Sequence, residues 1–389
     1  MSIYLDHNAG APLRPEVREA ITALLSGPAR NPSSVHRAGQ AARKLLEQAR
    51  ARVAALIGAT PAQIVFCSGG TEANNLAIAG AMRNRGSRRN IITSAIEHSS
   101  VLVPIERWQA DGLDVIRAMP NREGRLDPAE IASLIDENTA LLTLGLANSE
   151  VGTIQSLALL SEPVRAAGAV FHIDAAQAVG RIPVDVAQLG CDLMTISGHK
   201  LGAPAGIGAL FVRDAPRIAP HILGGPQERG MRAGTPNLIG AVGFGAAAGV
   251  ALERMEQESR RMAELGRILL DRLTAAIPGL VVNSPPDGVL PNTLNLRFPG
   301  VLGETMLIAL DLEGVEVSMG SACAAGAVEP SHVLIAMGHS AAAARSSLRV
   351  SLGYSTTLEE VERAAEIFSR VWRTSGRAER AVQAAVAGL

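Results

Sequence analysis

The sequence predicts an α/β protein with a largely parallel sheet, followed by a smaller α+β domain. From about residue 50 to residue 213, short apolar runs alternate with segments of helical spacing, which favours a parallel sheet covered on both faces. Beyond Gly279 short strands mix with helices instead. At 389 residues, with 47% hydrophobic residues, the chain is long and apolar enough for two domains with substantial cores.

Six apolar runs are the predicted strands of the large domain: Ile64–Cys67, Asn90–Ser94, Leu141–Leu146, Ala169–Ile173, Leu193–Ile196 and Gly208–Val212. Four segments with helical spacing lie between them, at Glu72–Met82, Val101–Gln109, Pro128–Ile135 and Leu157–Ala167. Ligand sites in such sheets gather at the carboxyl ends of the strands. Functional residues are therefore expected where these runs end.

The remaining elements complete the predicted domains. A buried Gly/Ala-rich helix is predicted at Ile239–Leu252, and a charged helix at Glu253–Leu273. The small domain is predicted to hold strands 281–283, 293–298, 315–318 and 347–352 and helices 304–312, 330–337 and 358–373. Residues 377–389 form either an Ala-rich helix or a frayed end. The large domain is thus predicted at 15–255, and the small domain at 1–14 and 256–389.

Charge and composition exclude several function classes. The net charge is -1 and aromatic residues make up 3%, so neither nucleic acid nor an anionic membrane is an expected partner. No signal peptide or run of about 18 apolar residues is found. The three cysteines, Cys67, Cys191 and Cys323, form no CxxC pair, which argues against a disulfide framework or structural zinc and fits a reducing cytoplasm.

A lysine and an aspartate follow two of the predicted strands. Lys200 comes just after Leu193–Ile196, in Ser197-Gly198-His199-Lys200. A buried lysine is costly unless it is used, and one use is an imine with a carbonyl cofactor. Asp174 ends the run Ala169–Ile173, with Gln177 three residues later. A carboxylate for a pyridinium nitrogen and a lysine for an aldehyde are what pyridoxal phosphate needs.

Other strand ends carry groups that suit the same cofactor. Cys67-Ser68-Gly69-Gly70-Thr71-Glu72 supplies a strand, a turn of small residues and a helix start, which is a phosphate-binding arrangement. His98 could stack on a pyridine ring or move protons, or it could simply cap a helix. Asn148 could bond a ring hydroxyl or serve only in a turn.

Cys323 and Arg349 are candidates in the second domain. Cys323 lies in a stretch rich in Gly, Ala and Ser, unlike Cys67 and Cys191, which are predicted to be core thiols. Arg349 alternates within a strand-like run, and an inward-facing arginine needs an anion. That anion is either a substrate carboxylate or the carboxylate of a structural salt bridge.

Together these motifs resemble, in order and nearly end to end, those of cysteine desulfurases of the NifS/IscS type, which are class V aminotransferases. The resemblance is carried by Tyr4-Leu5-Asp6-His7-Asn8-Ala9, Ser68-Gly69-Gly70-Thr71-Glu72, Glu97-His98, Asn148-Ser149-Glu150-Val151-Gly152, Asp174-Ala175-Ala176-Gln177, Ser197-Gly198-His199-Lys200, Arg232-Ala233-Gly234-Thr235 and Gly320-Ser321-Ala322-Cys323. It implies fold type I of the PLP-dependent transferases, with a mostly parallel seven-stranded sheet in the large domain.

The resemblance also implies a role for each matching residue. It implies that Lys200 holds the cofactor aldehyde and Asp174 its ring nitrogen, that Gln177 and Asn148 bond the ring hydroxyl, and that His98 stacks on the ring. Gly70, Thr71, Ser197 and His199 would hold the phosphate, and Thr235 would reach the phosphate of the partner subunit in a homodimer. Arg349, assisted by Asn31, would bind the substrate carboxylate.

The implied reaction converts L-cysteine to L-alanine. Lys200 or His98 moves the α-proton, and Cys323 takes the sulfur as a persulfide. Any iron–sulfur species would bind Cys323 only transiently, through this persulfide. The expected acceptor is an iron–sulfur scaffold or a tRNA-thiolation enzyme in the cytoplasm. Three alternatives share the cofactor residues or the fold: a selenocysteine lyase, another class V enzyme such as an aminotransferase or epimerase, and a non-catalytic partner protein.

Overall fold

The structure, a computed structural model, describes residues 2–27, 31–214, 218–320 and 329–387. The strands in these ranges are β1 Ile3–Tyr4, β2 Ile64–Cys67, β3 Asn90–Ser94, β4 Asp114–Ala118, β5 Thr139–Gly145, β6 Val170–Asp174, β7 Leu193–Ser197, β8 Gly208–Val212, β9 Val281–Val282, β10 Thr293–Arg297, β11 Val315–Glu316 and β12 Ser347–Ser351. The helices are α1 Pro15–Leu25, α2 Arg37–Ala55, α3 Gly70–Arg83, α4 Ser99–Ala110, α5 Pro128–Leu134, α6 Ser161–Ala167, α7 Val186–Leu189, α8 Leu238–Ala276, α9 Gly303–Leu312, α10 His332–Ala336, α11 Ala341–Arg345 and α12 Leu358–Ala387.

The central sheet has seven strands in the order β2-β8-β7-β6-β5-β3-β4. Strands β3 to β7 pair in parallel, and β8 runs antiparallel to both β2 and β7. The predicted α/β class with a mostly parallel seven-stranded sheet is therefore confirmed. Because β2 and β7 flank β8 in the opposite direction, β2, β3, β5, β6 and β7 all end at the same edge of the sheet.

Successive side chains of a strand point to opposite faces of the central sheet, and both faces are apolar here. Helices therefore cover both faces. Ile64 and Phe66 belong to a large core with residues of α2 and the first half of α8. Val65 and Cys67 point the other way, into a core shared with α3 and α4. This covering explains why the strand sequences are continuously apolar rather than alternating.

A third core lies around β10 and β12 and includes side chains from the N-terminal strand β1. Ile3 and Leu5 pack there with the later half of α8, with α9 and with α12. The expected association of the chain start with the C-terminal elements is thus present in the contacts. The division of the chain at residues 14 and 256 stays a prediction.

Two predictions about the elements need correction. The sequence predicts two helices here, but α8 is a single helix over Leu238–Ala276. It continues because no glycine or proline interrupts the chain where the two predicted helices meet, at Leu252 and Glu253. Strand β4 was not predicted, and neither were α1 and α2. By length and composition α8 could cross a membrane, but most of its apolar window is buried inside the fold, as in a core helix.

Candidate active site

The carboxyl ends of the parallel strands open into a cavity of about 280 Å³. It is lined by predicted site residues that follow these strands, namely Gly70, Thr71, His98, Asn148, Asp174, Gln177, Ser197, His199 and Lys200, and by Arg349 from β12. Residues far apart in sequence therefore converge on one space, and most of the predicted site is brought together by the fold.

Lys200 reaches the cavity from the 3₁₀ turn Gly198–Leu201 that follows β7. Its ammonium donates to the carbonyl of Ala9 at 2.9 Å and to that of Asn8. Burial lowers the pKa of Lys200 to about 7, and the positive charges of Arg181 and Arg349 add to this effect. In a substantial fraction of the molecules, Lys200 is therefore an uncharged amine at neutral pH, which is the nucleophilic form.

Asp174 is held in one orientation at the end of β6. Its Oδ1 accepts from the Ala176 amide at 3.0 Å, and its Oδ2 accepts from Asn74 Nδ2 at 2.7 Å. Asn74 lies on α3 and also donates to Ser100. Each carboxylate oxygen keeps a lone pair, so Asp174 can still accept a proton-bearing group in the cavity. Asn74 was not predicted, because an asparagine within a helix carries no sequence signal.

The N-terminus of α3 opens into the cavity and has no side-chain cap. Helix starts carry free amide donors and the positive end of the helix dipole, and Thr71 adds a hydroxyl. Ser197 and His199 face the same space, with Ser197 Oγ 3.0 Å from His199 Nδ1. Burial lowers the pKa of His199 to about 4, so its ring is neutral. This arrangement fits a phosphate group.

His98 caps α4 and also lines the cavity, so both functions considered from sequence are compatible with its position. Its Nδ1 accepts from the Ser100 amide at 3.1 Å and lies 2.7 Å from Ser100 Oγ. Burial lowers the pKa of His98, which keeps the ring neutral. With Nδ1 engaged as an acceptor, the ring proton lies on Nε2.

The two predicted amides, Asn148 and Gln177, are fixed by their neighbours. Asn148 Oδ1 accepts from the amides of Glu150 and Val151 at 2.8 and 3.0 Å, so this side chain does organise a turn. Its Nδ2 donates to Ile96 at 3.1 Å and keeps a second hydrogen. Gln177 Nε2 donates to the Asn8 carbonyl at 3.0 Å and likewise retains a hydrogen. Both amides can therefore still donate into the cavity.

Arg349 is 2% exposed and carries a salt bridge, one of the two possibilities considered from sequence. Its Nη2 donates to Asp6 Oδ1 at 2.6 Å and its Nη1 to the Ser149 carbonyl at 3.2 Å. The Nε atom is buried without a partner. A buried, unpaired donor that belongs to a cavity-lining arginine is available for an anion.

A buried glutamate, Glu97, also lines the cavity and was missed by sequence reasoning. Its Oε1 accepts from Ser94 at 2.5 Å. Burial, together with a smaller effect of the nearby charge of Asp174, raises the pKa of Glu97 to about 7. Its neighbour His98 carries the recognisable signal, whereas an acidic residue before a helix normally stays at the surface.

Asn31 and Thr235 do not line the cavity of this chain. Both are exposed, and Asn31 accepts a hydrogen bond from the Ser33 amide at 2.9 Å. For Thr235 this position is the expected one, because its predicted target is the phosphate of another subunit. Among the described residues no contact supports the predicted role of Asn31, which stays a prediction.

Cys323 lies outside the described residues. The chain is described up to Gly320 and again from Glu329. Ser331 Oγ donates to Glu150 Oε2 at 2.5 Å, and a Cβ on Gly320 would lie 2.9 Å from the same oxygen. Glu150 is buried two residues after Asn148. Gly320 and Ser331, described residues on either side of Cys323 in the sequence, therefore both lie beside the turn that contributes Asn148 to the cavity.

The other two cysteines are core residues, as predicted. Burial raises the pKa of both thiols, to about 12 for Cys191, and neither side chain lines the cavity. Across the described ranges, no group of three His, Cys, Asp or Glu side chains could hold a metal ion.

Comparison with known proteins places the chain among related sequences and structures. The family described as aminotransferase class V matches residues 3–364. The chain is 41% identical over 372 residues to the cysteine desulfurase IscS of Dictyoglomus turgidum, which covers 95% of this chain and 94% of the relative. A solved NifS-like protein matches with a TM-score of 0.89 and 32% identity over 96% of this chain and 100% of its own. SspA, solved in complex with cysteine, matches with a TM-score of 0.80 and 33% identity over 92% of this chain and 100% of its own.

Proposed function

The chain belongs to the class V aminotransferase family, and we propose that within it this protein is a pyridoxal-phosphate-dependent cysteine desulfurase. It converts L-cysteine to L-alanine and transfers the sulfur to an enzyme cysteine. The observation that carries this function is the convergence of Lys200, with its lowered pKa, and the anchored carboxylate of Asp174 on one cavity. Family membership confirms the resemblance seen in the motifs.

The residues of the cavity fit pyridoxal phosphate. Lys200 supplies an amine for the aldehyde, and Asp174 an acceptor for the ring N–H. The uncapped start of α3, with Thr71, Ser197 and His199, supplies donors for the phosphate. When bound, the cofactor supplies an electron sink that makes the substrate α-proton acidic.

Proton movement at the substrate is the task of Lys200 and His98. Lys200 Nζ has a pKa near neutrality, so it can take up a proton from the substrate Cα and return it. The neutral ring of His98 presents Nε2–H, because Nδ1 is occupied by Ser100. Arg349, through its unpartnered Nε, is the proposed donor to the substrate carboxylate.

Sulfur transfer is assigned to Cys323. Its thiolate attacks the substrate sulfur, the Cβ–S bond of the substrate breaks, and Cβ takes a proton to give alanine. A persulfide remains on Cys323. The position of Gly320 and Ser331 beside Glu150 supports this role, because both residues are close to Cys323 in sequence and lie next to the turn that reaches the cavity. Cys67 and Cys191 are unsuited, since burial keeps them as thiols.

The working form is proposed to be a homodimer in the cytoplasm. Thr235 of the partner subunit is assigned to the cofactor phosphate, which accounts for its exposure away from the cavity of its own chain. The persulfide is passed to an acceptor protein, such as an iron–sulfur scaffold or a tRNA-thiolation enzyme. The name IscS of the relatives supports the first of these. A reducing compartment keeps the nucleophilic thiol free.

Substrate comparison tests this function against its relatives in chemistry. The purified protein, loaded with pyridoxal phosphate and given a reductant, is expected to release alanine and sulfide from L-cysteine. L-selenocysteine and L-alanine with a keto acid are assayed in parallel. Preferred turnover of L-selenocysteine would identify a lyase, and amino transfer from L-alanine would identify an aminotransferase. Lack of a visible lysine-bound cofactor band would favour a non-catalytic protein.

A further inference from the structure

Arg181 is a buried arginine for which the activity described above has no use. It is 6% exposed and lies just beyond β6. Its Nη1 donates to the Gln177 carbonyl at 2.8 Å and to Gln177 Oε1, and its Nη2 donates to the His7 carbonyl at 3.2 Å. All three acceptors are neutral, and within the described ranges no carboxylate forms an ion pair with it. A buried cation without a counter-ion is costly, so its retention calls for a reason.

The first consequence of Arg181 concerns the carboxamide of Gln177. Because a guanidinium has donors only, it must face Oε1 of this amide. Gln177 Nε2 then faces the Asn8 carbonyl at 3.0 Å and keeps one hydrogen for the cavity. The reversed amide would set N–H against N–H at one end and carbonyl against carbonyl at the other. Gln177 is thus held as a donor toward the cofactor site.

The second consequence concerns Lys200. The Asn8 carbonyl accepts from both Gln177 Nε2 and Lys200 Nζ, so hydrogen bonds connect Arg181 through Gln177 and Asn8 to the lysine. Arg181 and Lys200 also border one small cavity of about 30 Å³. A fixed positive charge therefore stands close to the amine of Lys200.

We propose that Arg181 is a positioning residue of the cofactor site, which fixes Gln177 as a hydrogen-bond donor and favours the uncharged form of the nitrogen of Lys200. This inference rests on the proposed cofactor but not on the sulfur chemistry. The charged or titratable groups that act on Lys200 are Arg181, Arg349, Asp6, Asp174, His98 and His199. Burial and Arg181 are the two largest causes of its lowered pKa.

Variants of Arg181 separate its charge from its geometry. Arg181→Met removes the charge and the donors while keeping a long side chain, and Arg181→Lys keeps the charge. Arg213→Met is the matched control, because Arg213 also donates to a backbone carbonyl, that of Cys191, but at the opposite edge of the sheet. If R181M does not fold, Arg181→Gln takes its place.

Two readouts are used, and neither requires substrate turnover. The first is the pH titration of the visible band in the protein loaded with pyridoxal phosphate. The second is the pH profile of acetylation of Lys200 by acetic anhydride in the cofactor-free protein, read by mass spectrometry. The chain has two lysines, and exposed Lys44 serves as the internal standard. If no visible band forms, the proposed function fails, while the acetylation profile still tests Arg181.

R181M is expected to raise the apparent pKa in both readouts by about one unit, a tenfold shift in the proton equilibrium. R181K and R213M are expected to keep the pKa of the wild type. R181K is further expected to bind pyridoxal phosphate more weakly, since lysine lacks the planar fork whose two nitrogens reach Gln177 and the His7 carbonyl separately. An unchanged pKa in R181M, or an equal rise in R181M and R181K, would overturn the inference.

Discussion

At the scale of single residues, the site depends on charges that burial has shifted toward neutrality. Lys200 and Glu97 both have a pKa near 7, and His98 and His199 are kept neutral. Such a site can move protons at physiological pH without large changes in net charge. Lys200 and His98 were predicted from sequence because they follow apolar strands. The raised pKa of Glu97 could not be predicted from the sequence, since it arises from burial among residues that are distant in sequence.

Glu97 makes stability depend on pH. Its folded pKa of about 7 lies above the ordinary 4.5, so the stability it contributes is full below pH 4.5 and is lost as pH rises through 7. In Glu97→Gln this loss is absent. The free energy of unfolding of E97Q relative to wild type is expected to rise by about 3 kcal/mol between pH 5 and pH 8, measured by urea denaturation.

The control for this prediction is Glu253→Gln, at an exposed position on α8. It is expected to follow the wild-type pH profile. A difference between E97Q and wild type that stayed constant from pH 5 to pH 8 would show that Glu97 is ionised in the folded protein at both values. That result would contradict the raised pKa of Glu97 in the folded protein.

At the scale of elements, the site depends on where strands end and where α3 begins. The strand predictions agree with the structure to within a few residues, because continuous apolar runs bounded by turns are strong signals. Strand β4 was missed, since its Asp114 and Arg117 interrupt the apolar pattern on an edge strand. The continuity of α8 was missed because its two halves differ in composition. The first half packs in the core beside the central sheet, and the second half packs in the core around β10 and β12.

Gly208 on β8 tests the position of the α3 start. A Cβ there would lie 2.6 Å from the carbonyl carbon of Gly69 and 2.8 Å from the Ile196 oxygen. Gly208→Ala must therefore displace the backbone that precedes Gly70, where the phosphate is expected. The expected loss is about 2 kcal/mol in the free energy of unfolding and about tenfold in affinity for pyridoxal phosphate.

Gly266→Ala on α8 is the comparison, because the added methyl group would meet no atom within 4 Å beyond the adjoining backbone of its own helix. Its stability is expected to be unchanged or raised by up to about 1 kcal/mol, with cofactor affinity unaffected. Urea denaturation and a cofactor titration measure both quantities. If G208A bound the cofactor as tightly as G266A, the start of α3 would not be the phosphate site.

At the scale of the whole molecule, a single chain encloses most but not all of the proposed site. Sequence order alone could not show which strand ends are neighbours, because adjacency depends on the order β2-β8-β7-β6-β5-β3-β4. The resemblance to the family's motifs indicated indirectly which strand ends are neighbours. Thr235 remains exposed in the chain, so its assigned role requires a second subunit.

Thr235→Val tests the shared site. Although Thr235 does not line the cavity of its own chain, the variant is expected to weaken pyridoxal phosphate binding about tenfold in the dimer, through loss of a hydrogen bond to a charged group. Thr374→Val, at another exposed threonine, is the control. Affinity is measured by cofactor titration, with sedimentation to establish the dimer. Unchanged affinity in T235V within a proven dimer would contradict the shared site.

The central claim is that sulfur passes from L-cysteine to Cys323, and a single turnover followed by intact-protein and peptide mass spectrometry tests it most directly. Without reductant, the loaded wild-type protein is expected to gain one sulfur atom on the peptide that contains Cys323 and to release an equal amount of alanine. Cys323→Ala is expected to keep the visible cofactor band and to form neither product, while Cys191→Ala behaves as wild type. Undiminished alanine release by C323A, or the added sulfur on Cys67 or Cys191, would contradict the account.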